Sequence, residues 1–217
     1  MTLLTSLLAL LLLAPAYALW IYISYRNKSP VRHAASESCA IAVFLGSGGH
    51  TTEALQLLAG LDRARYYPRT YIVSAGDALS VKRAIAFEGT TDVRILEIPR
   101  ARHVHQPLCT VPFTFTKSFL HTTLLALSNP TRRNQPNMGD ILLMNGPGTC
   151  VVLCASVWVA RLLGFKTPRM VYIESFARVR TLSLSGRIMS RFVDRFVVQW
   201  PELSTNVRSA ECRGWLI

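Results

Sequence analysis

The sequence predicts an α/β fold, a Rossmann-like parallel sheet preceded by one transmembrane helix. Three observations predict it. From Ala40 onward, short apolar runs rich in β-branched residues alternate with helical patterns, as in a parallel sheet with helices on both faces. Several of these runs are apolar without interruption, as strands covered on both faces are. Ahead of them lies a leucine-rich stretch, Leu3 to Tyr25, with no charged residue.

That stretch spans about 23 residues, enough for a bilayer core of roughly 30 Å. Trp20, Tyr22 and Tyr25 gather at its end, where aromatic side chains favour the membrane interface, and Arg26, Lys28 and Arg32 follow. Positive charge after the span and none before it predicts a main domain on the cytosolic side. A cleaved signal peptide is the competing reading, because Ala14-Pro15-Ala16 and Ala16-Tyr17-Ala18 resemble a cleavage site. The missing basic n-region and the continuation to Tyr25 favour an anchor, in which Pro15 kinks the helix without ending it. We therefore divide the chain into an anchor (1–25), a polar tether (26–39) and a single domain (40–217).

Within the domain, strands are expected at Ile41–Leu45, Thr70–Ser74, Val93–Ile98, Ile141–Met144, Met170–Ile173 and Phe196–Gln199. Helices are expected at Thr51–Leu61, Asp77–Phe87, Cys150–Leu163 and Ser185–Phe192. The segment 107–127, with Phe113, Phe115, Phe119, Leu120, Leu124, Leu125 and Leu127, reads as a core helix or as an amphipathic surface for a bilayer or an isoprenoid tail.

Composition narrows the partners. The formal charge is +12, all of it after the anchor. Such a surface suits anionic lipid headgroups, a nucleotide or a lipid-linked diphosphate. Nucleic acid is not expected, because no basic stripe is interleaved with aromatic residues. The five cysteines include no CxxC pair. Cys150 and Cys154, one helical turn apart, read as small core residues in a reducing compartment.

Open α/β sheets bind ligands beyond the carboxyl ends of their strands. The first strand runs into Gly46-Ser47-Gly48-Gly49-His50-Thr51. Glycines allow close backbone approach, and a helix starting there attracts phosphate through its N–H groups and dipole. The fourth strand ends at Asn145-Gly146-Pro147-Gly148-Thr149, again before a helix; the third ends at Pro99-Arg100-Ala101-Arg102 and the fifth at Glu174-Ser175. Two glycine turns, two arginines and a carboxylate would share one edge. His50 and Glu174 are the candidate bases for an acceptor hydroxyl; His50 also suits a phosphate oxygen, and Arg100 and Arg102 suit a phosphate clamp. The plain alternatives are a linking turn, a capping carboxylate and solvated loop charges. No P-loop lysine follows Gly46–Thr51, and Thr51 replaces the third glycine of a dinucleotide fingerprint. His103 and His105 form an H-x-H pair with no third metal ligand nearby in sequence. Thr181–Gly186 reads either as a helix cap or as a ligand contact.

Five motifs occur in a fixed order: Gly-Ser-Gly-Gly-His-Thr, Ile-Pro-Arg, Asn-Gly-Pro-Gly-Thr-Cys, Tyr-Ile-Glu-Ser with Thr-Leu-Ser-Leu-Ser-Gly, and Val-Gln-Trp-Pro. Through them the chain, from Ile41 on, resembles the membrane-anchoring (fourteen-type) subunits of the UDP-N-acetylglucosamine transferase of asparagine-linked glycosylation. It is more loosely similar to the N-terminal half of the bacterial lipid II-forming glycosyltransferase. The resemblance implies the acceptor half of a split, inverting GT-B glycosyltransferase at the cytosolic face of the endoplasmic reticulum. A soluble thirteen-type subunit would bind UDP-N-acetylglucosamine, and the pair would extend dolichyl-diphosphate-N-acetylglucosamine without cofactor or required metal. Gly46, Ser47, Gly48, Gly49, His50 and Thr51 would face the acceptor diphosphate, Asn145, Gly146, Gly148 and Thr149 would form a second diphosphate loop, and Glu174 and Ser175 would line the cleft between the halves. After Arg102 the chain departs from the family pattern, reading His103-Val104-His105-Gln106-Pro107. The room after Gln199 is too small for a second domain, and Gly214–Ile217 together with the edge of the cleft is the expected partner surface. The alternatives are a non-catalytic membrane recruiter and a nucleotide-dependent oxidoreductase.

Overall fold

The computed structural model describes residues 2–27, 38–91, 93–102, 106–128, 138–207 and 210–216, with the side chains of the first helix described from Leu13 to Tyr25. Most of the tether and the His103–His105 pair lie outside these residues.

Seven parallel strands form one sheet. They are β1 (Ile41–Leu45), β2 (Arg69–Ser74), β3 (Arg94–Ile98), β4 (Ile141–Asn145), β5 (Arg169–Ile173), β6 (Arg195–Val198) and β7 (Ala210–Cys212). The helices are α1 (Thr2–Asn27), α2 (Gly49–Ala59), α3 (Ala78–Glu88), α4 (Val111–Leu127), α5 (Thr149–Leu162), α6 (Leu184–Phe192) and α7 (Pro201–Asn206). The strand order is β3-β2-β1-β4-β5-β6-β7. The order reverses between β1 and β4, so the crevice for a ligand opens beyond their carboxyl ends.

Alternation explains why the central strands are apolar throughout. Ala42, Phe44, Ile72, Leu142 and Met144 pack against Cys150, Leu153 and Val157 of α5 and Met189 of α6. Ile41, Val43, Leu45, Tyr71 and Val73 pack on the other face against Ala54, Leu57 and Leu58 of α2 and Ala84 of α3. A period of two with both faces buried gives an unbroken hydrophobic run. Cys150 and Cys154 are core residues, and burial pushes the Cys154 thiol up to about 12.

Segment 107–127 forms a short 3-10 turn at Leu108–Thr110 and then α4, oriented against the usual rule. Ser118 and Thr122 are buried, Ser118 donating to the Pro99 carbonyl at 2.6 Å. Leu125 and Ala126 reach the core, whereas Phe113, Leu120 and Leu124 are exposed. A helix with its large apolar side chains outward has a face made for something other than water.

α1 continues through Pro15 and ends at Asn27, two residues past the expected boundary. Its second half is docked on the domain. Tyr17 Oη donates to the Leu162 carbonyl and Tyr22 Oη to the Arg191 carbonyl, each at 3.1 Å. The buried Arg161 guanidinium, paired with Asp194 at 2.5 Å, lies 4.4 Å from the Tyr25 ring centroid, a cation–π contact. Among the described residues no helix is long and apolar enough to cross a membrane; Leu3 to Leu12 of the expected span lie outside the described side chains.

Candidate active site

The two glycine turns interlock at the switch point, and their glycines do different jobs. A Cβ on Gly46 would stand 2.7 Å from Pro147 Cδ and 2.9 Å from His50 Cβ. A Cβ on Gly146, where φ is +108°, would stand 2.6 Å from His50 Cγ and Nδ1. These buried glycines let the loops approach each other. Gly48, Gly49 and Gly148 are exposed, with nothing near a Cβ position, and these form the face open to a ligand. Gly48 and Gly148 precede α2 and α5, neither of which has a side-chain cap or an acidic residue in its first turn. Both helix ends suit an anion.

Beside them lies a cleft of about 620 Å³, whose lining includes Ser47, Ser74, Arg100, Arg102, Gly148 and Thr149 together with the apolar Val111, Phe115, Val151, Leu184 and Ile188. The expected convergence of Ser47, Arg100, Arg102, Gly148 and Thr149 is therefore present. Arg100 is braced by a bond from Nε to the Ala75 carbonyl at 3.3 Å. Arg83, on α3, adds charge at the first turn through 3.2 Å and 3.0 Å bonds to the Gly48 carbonyl and Thr52 Oγ1. Thr51 does not face this space. It is fully buried, and its hydroxyl binds the Gly46 carbonyl and Ser80 Oγ. Its task is to close the turn. Asp77, the carboxylate following β2, caps α3 through Ser80 N–H at 3.1 Å, so it is not presented to a ribose.

His50 sits in a chain of bonds that decides its tautomer. Asn145 Nδ2 donates to Glu53 Oε2 at 2.9 Å. That leaves Asn145 Oδ1 as the acceptor facing His50 Nδ1 at 3.0 Å, so Nδ1 carries the proton. In the neutral ring Nε2 is then unprotonated, as a base requires. Ser175 Oγ fixes the other Glu53 oxygen at 2.8 Å. Glu53 was not among the sequence candidates. Its signal was its place three residues after His50 on one helix, which puts both on one face.

Glu174 does not stand open as a base. It is 1% exposed. Oε1 accepts from Ser175 N–H, and Oε2 accepts from Ser183 N–H and Oγ, all at 3.1 Å. Ser183 also caps α6 through Gly186 N–H at 2.9 Å. A Cβ at Gly186 would fall 2.0 Å from Glu174 Oε2. The Thr181–Gly186 turn thus folds over Glu174, caps α6, and presents Leu184 and Ser185 to the cleft. Burial raises the Glu174 carboxyl above its ordinary 4.5, opposed by the bonds from Ser175 and Ser183 and the charge of Arg178. The folded chain therefore holds this proton more tightly than the unfolded one, and stability falls as pH rises from about 4.5 through the folded value. Denaturation midpoints across that window should decline in the native chain more steeply than in Glu174→Gln; parallel profiles would remove Glu174 as the cause.

Among the described residues no cluster of three or more His, Cys, Asp or Glu side chains is placed to hold a metal.

Comparison with known proteins places the chain in a family. Residues 41–216 match the family described as oligosaccharide biosynthesis protein Alg14 like. The UDP-N-acetylglucosamine transferase subunit alg14 of Schizosaccharomyces pombe is 44% identical over 177 residues, covering 80% of this chain and 81% of that protein. The human subunit ALG14 is 39% identical over 196 residues, covering 85% and 84%. Among solved structures, MurG of Acinetobacter baumannii aligns with a TM-score of 0.53 at 16% identity, over 82% of this chain and 45% of MurG. That likeness shows the fold alone, over a little under half of the MurG chain. With the family match running from β1 to the end of the described residues, the chain belongs to the Alg14-like family of oligosaccharide biosynthesis proteins.

Proposed function

We propose that this chain is the acceptor-binding, membrane-held half of an inverting glycosyltransferase. A soluble subunit supplies UDP-N-acetylglucosamine, and the pair adds a second N-acetylglucosamine to dolichyl-diphosphate-N-acetylglucosamine at the cytosolic face of the endoplasmic reticulum. The observation that carries this is the switch-point crevice: Ser47 of the first glycine turn, the uncapped start of α5, Arg100 and Arg102 line one cleft, and the first turn carries a histidine held in its basic tautomer.

The cleft lining is chemically mixed. The α5 N-terminus and the Arg100 and Arg102 guanidinium groups offer themselves to a diphosphate. The apolar Phe115, Leu184 and Ile188 suit a hydrocarbon attached to that diphosphate. His50 Nε2 takes the proton of the acceptor hydroxyl as its oxygen bonds to the anomeric carbon of the donor. The bond to UDP breaks on the opposite face, which inverts the centre. Glu53 and Asn145 orient the ring without touching substrate.

Two further features support a membrane-held subunit. The stretch of α1 from Leu3 to Tyr25, which carries no charged residue, and the outward Phe113, Leu120 and Leu124 of α4 favour a bilayer. On the sheet face opposite α5 and α6, a groove of about 490 Å³ lined by Val171, Ile173 and Val197 of β5 and β6 also includes Leu216, near the expected partner surface. Parallel sheets ordinarily have both faces covered, so an open stretch suits a second subunit.

The test is sugar transfer from labelled UDP-N-acetylglucosamine to a lipid-diphosphate-N-acetylglucosamine. Membranes would carry this chain, the soluble donor-binding protein, both, or the soluble protein on an unrelated anchor. Transfer only when both are present is expected. Equal transfer by the soluble protein on the unrelated anchor would reduce this chain to a recruiter.

A further inference from the structure

We infer that the groove between α1, α5 and α6 holds the first part of the polyprenyl chain of the lipid diphosphate, so that the anchor helix forms a wall of the substrate site. This rests on the acceptor reading above and extends it to the tail.

The groove measures about 700 Å³, within the roughly 300–1,000 Å³ of small-molecule sites. Its walls include Leu19 and Tyr22 of α1, Phe119 of α4, Ala155 and Trp158 of α5, and Phe192 of α6. The polar atoms of these side chains are already engaged: Trp158 Nε1 donates to the Phe192 carbonyl at 2.7 Å, and Tyr22 Oη to the Arg191 carbonyl. What they present to the groove is carbon.

The groove and the arginine-lined cleft adjoin. Val151 and Ile188 line both. Phe115, in the cleft, stacks on Phe119, in the groove, with ring centroids 6.4 Å apart. An apolar trough that shares walls with a cleft lined by guanidinium groups and a helix N-terminus fits an anionic head joined directly to a hydrocarbon chain. Ala18, Leu19 and Tyr22 place the charge-free part of α1 along the trough, so a chain lying there is led along the anchor. A bilayer acyl chain shares the tail's chemistry, but its head would not occupy the cleft.

The test uses the full chain with its soluble partner in phosphatidylcholine vesicles. The probe is a polyprenyl-diphosphate-N-acetylglucosamine with a photoactivatable group near the diphosphate end of its tail. Labelling of the peptides holding Leu19 and Ala155 is expected, competed by unlabelled polyprenyl diphosphate and not by added phosphatidylcholine. Label confined to vesicle lipid or to the outward face of α4 would overturn the inference, as would equal competition by phosphatidylcholine. Independently, Ala155→Phe fills the trough. The ratio of kcat/KM for a long-chain acceptor over that for a single-isoprene acceptor should fall about tenfold or more; an unchanged ratio would overturn the inference. Absence of transfer to either acceptor by the native pair would instead defeat the acceptor reading, while the labelling still reports on the groove.

Discussion

His50→Ala is expected to lower the transfer rate of the assembled enzyme between about 100-fold and 10,000-fold, the range for removing a general base, while the protein stays in the membrane fraction and remains folded. His50 is only half-buried and its one described polar partner is Asn145, so its removal leaves Asn145 still bonded to Glu53. His50→Gln sharpens the result. A glutamine amide can donate to Asn145 Oδ1 but cannot take a proton at neutral pH. Comparable loss in both variants, with acceptor binding retained, assigns His50 to proton transfer. Recovery in glutamine would leave it an orienting or binding role. Full activity in alanine would remove His50 from both.

Gly146→Ala is expected to be nearly as damaging for a different reason. The added methyl must sit 2.6 Å from His50 Cγ and Nδ1 on a backbone with φ of +108°. The backbone strain costs about 1–3 kcal/mol. Displacing the ring by about 1 Å costs on the order of 100-fold in rate. Gly148→Ala is the control. It lies on the same turn with φ of −54° and nothing near its Cβ, so its stability should stay at the native level, and any loss of rate reports the approach of the ligand. Melting temperature and transfer rate on the two variants check both statements. Equal behaviour would mean that the interlock of the turns does not position His50.

Six of the seven strands were legible as β-rich, largely apolar runs; β1 and β2 are buried throughout, while β3 leaves Arg94 and Glu97 exposed. β7, reading Ala-Glu-Cys, has no such run; it is a strand because β6 offers it a partner. α7 announced itself only by Pro201 at its first turn. The turns after β1 and β4 were legible as glycine clusters, and their convergence with Arg100 and Arg102 followed from the rule for open sheets. The role of Thr51 was not legible. Its hydroxyl turns inward to Ser80, a residue on the next helix. Glu174 was found as a carboxylate at a strand end, but its enclosure depends on Ser183 folding back over it.

The sequence by itself determined six of the seven strands and that glycine turns suited to phosphate follow two of them. Local spacing and burial periodicity are properties of contiguous residues. Only the tertiary structure decided which side chains act together. The Glu53–Asn145–His50 chain joins residues 92 positions apart, and the tail groove joins α1 to α5 and α6 from opposite ends of the chain. Those pairings depend on where helices cross the sheet, which is set by the packing of the two buried faces together.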